Sequence, residues 1–179
     1  MANCGVLQGR EEVCKESVGG LQAVYFMNYD SASFDKNVDG EINDLTGYTV
    51  YKYELKGTSA YTETVNSSRD NGTTFFSQEV TVNLKKLTNE MTTQLKILAY
   101  GRPQIIVHTK NGEALLVGER EGCDLTAGSI QTGAGLGDLY GYSMTFTGTE
   151  KLPAAFLQGA ELTPGNPFAG LDGQPTVVT

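Results

Sequence analysis

From residue 20 to residue 148 the chain consists of short runs of alternating or β-branched residues, broken by Gly, Asn and Asp clusters, with a single helical stretch among them. Strands at hairpin spacing cannot wind into a parallel α/β sheet, which needs a crossover helix for each strand pair. The pattern predicts a mainly β fold: an antiparallel β-sandwich or barrel of about seven strands with one flanking α-helix.

The first strand is predicted in Leu21-Gln22-Ala23-Val24-Tyr25-Phe26-Met27-Asn28-Tyr29, bounded by Gly19-Gly20 and Asp30-Ser31, and it is apolar on both faces from Val24 to Met27. Residues 35–44 are polar and read as a loop or hairpin tip. Over residues 48–55, Tyr48, Val50 and Lys52 share one face, while Thr49, Tyr51, Tyr53 and Leu55 share the one expected to meet the core. Tyr61, Glu63 and Val65 then alternate with Thr62 and Thr64. Ser67-Ser68-Arg69-Asp70-Asn71-Gly72 is turn chemistry, with Asn-Gly suited to positive φ at a hairpin tip. A long strand over 73–84 carries Phe76, Val80, Val82 and Leu84 at one parity, interrupted by Gln78.

The helix is predicted over 89–100. Thr88 can accept a backbone N–H as N-cap, Glu90 sits at the positive end of the helix dipole, and Leu87, Met91, Leu95 and Leu98 form a stripe. Gly101 is expected to stop it in the left-handed region, and Pro103 prevents continuation. Residues 104–118 read as a hairpin around Lys110-Asn111-Gly112, and residues 119–138 as a Gly-rich polar connection. Tyr140, Tyr142, Met144 and Phe146 are expected to point inward from a strand over 140–148, and residues 152–157 to form a short docking turn. The organisation is therefore an N-terminal arm (1–19), one β-domain (20–157), and an extended Gly- and Pro-rich C-terminal tail (158–179) ordered only by a neighbouring molecule.

At 179 residues the chain is long enough for one domain that buries about 70% of its unfolded surface without a staple. With 13 Lys plus Arg against 21 Asp plus Glu, its net charge of −8 is wrong for a duplex-binding surface, whose affinity comes from neutralised phosphates. The sequence contains no apolar run near the ~18 residues of a spanning helix, so no membrane role is expected. Met1-Ala2-Asn3-Cys4-Gly5 lacks the basic and apolar regions of a signal peptide, so export by that route is not expected. Cys4, Cys14 and Cys123 make an odd count without a CxxC pair; reduced thiols are the simple reading, and a Cys4–Cys14 bridge the alternative.

Several stretches invite a chemical reading. Residues 35–46 match the front of a calcium loop, with Asp35, Asn37 and Asp39 as oxygen donors, Gly40 at the turn and Ile42 inward. Thr46 stands where the bidentate Glu belongs, and a strand precedes instead of a helix, so an Asn/Asp/Gly loop is the simpler reading. Gly133-Ala134-Gly135-Leu136-Gly137-Asp138 lacks the spacing and the following helix of a nucleotide loop. His108, the single histidine, would need Cys123 and an orienting group beside it to make a nucleophile. Asn66-Ser67-Ser68 and Asn71-Gly72-Thr73 are formal sequons that read as turns. Tyr48, Tyr51, Tyr53 and Tyr61 could stack nucleobases, but Glu54 and Glu63 stand where Arg and Lys would be needed, so core or interface packing is expected. No catalytic, cofactor-binding or metal residue is assigned, and no enzyme activity is expected.

Three segments carry a family likeness: Gly19-Gly20-Leu21-Gln22-Ala23-Val24-Tyr25-Phe26-Met27-Asn28-Tyr29, Tyr53-Glu54-Leu55-Lys56-Gly57, and the stretch from Gly137-Asp138-Leu139-Tyr140-Gly141-Tyr142 through Ser143-Met144-Thr145-Phe146-Thr147-Gly148-Thr149-Glu150-Lys151. Together they resemble tail-tube-like and ring structural proteins of tailed bacteriophages, especially virion proteins of crAss-like phages. The resemblance implies a β-sandwich or barrel that assembles into a homo-oligomeric ring of the tail or neck. Arms and hairpins would contact neighbouring tail or neck proteins, and DNA would pass through the channel without specific binding. The product would be made in the bacterial host cytoplasm and end in the virion. A capsid decoration or head–tail connector role is the alternative, and a calcium-dependent β-sandwich binding module a more distant one.

Overall fold

A computed structural model describes residues 9–10 and 15–179. Its elements are β1 (Leu21–Met27), β2 (Thr49–Glu54), β3 (Ala60–Ser68), β4 (Thr73–Lys85), α1 (Asn89–Tyr100), β5 (Gln104–Thr109), β6 (Ala114–Val117), β7 (Asp124–Gln131), β8 (Gly141–Glu150), β9 (Ala155–Phe156) and β10 (Thr176–Val178). The strands form two sheets, one of six in the order β10-β2-β1-β5-β6-β9 and one of four in the order β3-β4-β8-β7. The pairings are antiparallel except that β10 runs parallel to β2. The expected β-sandwich with one helix is thus what the chain forms, with ten strands among the described residues in place of about seven.

Two separate cores explain why β1 is apolar at both parities. Val24, Phe26, Ile105 and Val107 face the four-stranded sheet and pack against Val80, Val82, Met144 and Phe146. Ala23, Tyr25, Met27, Ile106 and Leu116 face the other way, where they are covered by Phe34, Ile42 and Leu45 and by Ala160, Phe168 and Leu171. The tail expected to wait for a neighbour is therefore part of the protein's own second core. Phe168 is 1% exposed, its ring edge-on to Tyr25 at 5.0 Å, and the chain then returns to add β10 beside β2. Large apolar side chains within reach of a bare sheet face bury themselves, at about 1.5–3 kcal/mol each.

The same double burial corrects the expected single core-facing side of residues 48–55. Val50 is fully buried in the outer core, whereas Tyr53 and Leu55 pack between the sheets and Tyr51 is 42% exposed. Residues 119–138 contain the unforeseen β7, an edge strand that needs little apolar alternation because β8 supplies its backbone partners. Tyr140 precedes β8 and is 51% exposed, while Tyr142, Met144 and Phe146 point inward as expected. Residues 152–157 do dock, through β9 against β6.

Helix α1 starts as predicted: Thr88 Oγ1 accepts the Met91 N–H at 3.2 Å. Its Met91, Leu95 and Leu98 are half-buried against the inter-sheet core, so the helix flanks the sandwich at one end. Its end differs from the expectation. Gly101 has φ −87° and ψ 174°, an extended conformation, because the chain turns straight into β5 at Gln104, and Pro103 holds Arg102 extended on the way. Glycine is useful there for space, since a Cβ would lie 3.2 Å from the Ile97 carbonyl oxygen.

Candidate functional site

The four-stranded sheet and the six-stranded sheet treat their edges differently. The six-stranded sheet ends in strands of three and two residues, β10 and β9. Very short edge strands are one way a protein blunts an edge. The four-stranded sheet ends in β3, nine residues long, and β7, eight residues long. Each presents along one side a row of N–H and C=O groups that no strand among the described residues meets. Strand β7 carries a bulge between Leu125 and Ala127, but β3 has neither bulge, lysine nor proline.

The outward face of this sheet is lined with hydroxyls. Pairing places Thr62 and Thr64 of β3, Ser77 and Thr81 of β4, and Thr145 and Thr147 of β8 on one side. Its charged members in the strands are Glu79, Asp124 and, at one end, Lys85. The β3–β4 hairpin projects toward a tip at 69–72, closed by Gly72 at φ +62° and by its N–H to the Arg69 carbonyl. Near that tip Val65 is 60% and Phe75 41% exposed.

Between the sheets at one end lies a polar plug. Gln78, 1% exposed, donates from Nε2 to Glu63 Oε1 at 2.9 Å and accepts the Gly118 N–H at 2.9 Å. Glu63 Oε1 also accepts the Ala154 N–H, and Glu150 Oε1 accepts the N–H groups of Arg120 and Glu121. Three buried or half-buried side chains thereby tie the 118–122 turn and the strand after β8 to the sheet. A cavity of about 280 Å³ adjoins the plug, lined in part by Leu152 and Pro153.

The residues singled out in the sequence fall as follows. Asn37 Oδ1 accepts the N–H groups of Asp39 and Glu41, Gly40 turns at φ +85°, and Ile42 is fully buried, so residues 35–46 form a self-bonded hairpin. Among the described residues no group of three or more His, Cys, Asp or Glu converges as a metal set. In the 133–138 turn Asp138 Oδ2 takes the N–H groups of Ala134 and Gly135, which hold its carboxyl below the usual carboxylate range and leave those amides engaged.

His108 shares a sheet face with Ala23, whereas Cys123 lies between the sheets, so the two stand on opposite sides of the six-stranded sheet. Burial, with Glu150 and Asp124 nearby, pushes the Cys123 thiol up to about 12. Cys4 and Cys14, and most of the expected arm, lie outside the described residues; of the rest of that arm, Val18 donates its N–H to Asn111 Oδ1. The four tyrosines form no common platform: Tyr48 packs on Phe34, Tyr53 on Phe26, Tyr61 against the inter-sheet core, and Tyr51 is exposed. Asn66 lies on β3 and Asn71 at the hairpin tip.

No helix among the described residues is long and apolar enough to cross a membrane. No protein-family model, no curated protein and no solved structure matches this chain.

Proposed function

We propose that this chain is a non-enzymatic structural subunit that associates with copies of itself through the edges of its four-stranded sheet. The setting proposed is the virion of a tailed bacteriophage, as a ring of the tail or neck around a DNA conduit. The observation that carries the reading is the contrast between blunted edges on one sheet and two long open ones on the other. Strand addition in a closed ring would pair β3 of one copy with β7 of the next and leave no edge over. The phage setting rests on the resemblance of the three sequence segments. It is supported by the net charge of −8 and by the hydroxyl-lined outer sheet face, from which a passing phosphate backbone gains little attraction.

Size-exclusion chromatography with light scattering, followed by negative-stain imaging, tests the proposal. The expected result is a concentration-dependent series of multiples of 19.2 kDa ending in ring-shaped particles. Val65→Lys on β3, at an exposed position, is expected to reduce assembly while leaving the circular dichroism spectrum unchanged. A monomer at every concentration up to the solubility limit would overturn the reading.

A further inference from the structure

Beyond the inter-sheet core, at one end of the outer core, the six-stranded sheet carries a cavity of about 170 Å³. Its floor follows from the strand register. Glu54, Ala23 and His108 lie side by side on β2, β1 and β5, and Lys52 and Tyr25 form the adjacent row. Ala23 offers only a methyl group between two long neighbours, so the row is hollow at its centre. Gly165, from the segment that covers the outer core, forms part of the cavity wall.

His108 lines this cavity, is 1% exposed, and among the described residues neither ring nitrogen has a partner at normal hydrogen-bond geometry, the Gly112 backbone offering only a weaker contact that favours the charged ring. A polar side chain left without a well-formed hydrogen bond this deep in a native interior is unusual. A second feature points to the same place. The β1–β5 register slips between Leu21 and Ala23, so Leu21 packs between the sheets, Ala23 packs on the outer core, and the extra residue, Gln22, borders the cavity. Bulges of this kind re-aim side chains and recur beside functional sites.

The wall is rich in donors. Gln22 brings an amide, Tyr25 a phenol held protonated by burial, and Lys52 and Lys56 bring ammonium groups. The one carboxylate, Glu54, is 64% exposed and stands 3.4 Å from Lys52. Donors that line one cavity together with two cations suit a ligand that accepts hydrogen bonds, and two lysines disfavour a metal ion.

We infer that this cavity is a binding site for a small oxyanion, a phosphate or a carboxylate, held by His108, Lys52, Lys56 and Gln22. The site lies within one subunit and does not depend on assembly.

His108 is the only histidine, so its imidazole resonances are unambiguous in NMR. Sodium phosphate and sodium acetate, titrated separately against sodium chloride at matched ionic strength, should produce a saturable shift of those resonances with at least one of the two oxyanions. The pH at which His108 titrates should rise with occupancy, because a bound anion favours the charged ring. A response to phosphate alone assigns a phosphoryl site, one to acetate alone a carboxylate site, and one to both a general oxyanion site. Lys52→Met is expected to weaken binding about tenfold, the scale of one charge-assisted hydrogen bond. Gln22→Leu, at an exposed strand position, provides a second variant expected to fold normally and to weaken binding. Shifts that chloride reproduces, or affinity unchanged in both variants, would overturn the inference.

Discussion

Gln78 breaks the apolar stripe of β4, and the break has a physical purpose. Its amide is a bridge, one end donating to Glu63 and the other accepting from Gly118, so the β6–β7 turn is tied to the four-stranded sheet. Gln78→Leu would make the position more apolar and still destabilise the protein, by about 1–3 kcal/mol, because the Gly118 N–H would be left buried and unpaired. Urea denaturation measures the difference; an unchanged midpoint would mean the bridge contributes nothing net.

The second residue-scale prediction concerns His108. Burial holds its pKa below the usual histidine value, Lys52 acts in the same direction, and the Gly112 backbone opposes both. A ring that protonates less readily when folded makes the unfolded state the better proton binder. Stability contributed this way is full above the unfolded value of about 6.5 and falls as pH drops below it. Thermal unfolding should therefore show a decline from pH 7.5 to pH 5.5 that is smaller in His108→Gln; parallel declines in both proteins would remove His108 as the cause.

Among the elements, α1 depends most on a single anchor. None of its residues is buried, and its apolar stripe is half-covered. Its first turn is fixed by Tyr142, which rises fully buried from β8. The Tyr142 hydroxyl lies 2.9 Å from the Thr88 carbonyl, 3.2 Å from the Thr88 nitrogen and 2.8 Å from Thr92 Oγ1. Tyr142→Phe keeps the packing and removes the polar hub, at an expected cost of about 1–2 kcal/mol. Hydrogen exchange should accelerate at 88–92 before the sheet is affected. Exchange unchanged there would show that packing alone holds the helix. The strand elements divide similarly by exposure: β8 has clear alternation because its inward residues form the core, while β7 pairs through its backbone at an edge and carries few apolar residues to mark it.

At the scale of the whole molecule, one sheet is buried on both faces and the other on one. The six-stranded sheet works as a central layer, with the four-stranded sheet on one side and irregular chain, 34–45 and 157–171, on the other. The C-terminal segment is consequently a structural layer. Phe168→Ala would open a cavity against Tyr25 and is expected to cost about 3–5 kcal/mol, read as a lower urea midpoint. A loss under 1 kcal/mol would instead support a tail that is ordered only in an assembly. The four-stranded sheet is left with a covered inner face, a hydroxyl-lined outer face and, among the described residues, two edges without a partner strand.

What could be read directly from the residues is what neighbours within a few positions impose on each other. The period of two in residues 141–150, the turn at Asn71-Gly72, the Thr88 cap and the outcome of one helix on a β-sandwich all belong to that class. The apolar character of Val24–Met27 at both parities was legible too, and the structure covers both of those faces. What covers the second face could not be read, because Phe168 reaches Tyr25 across more than a hundred residues and its polar, Gly-rich surroundings carry no period. The open edges and the His108 cavity belong to the same class. Each depends on which strand lies beside which and on a one-residue slip at Gln22, and burial and register are relations between distant segments that no local pattern encodes.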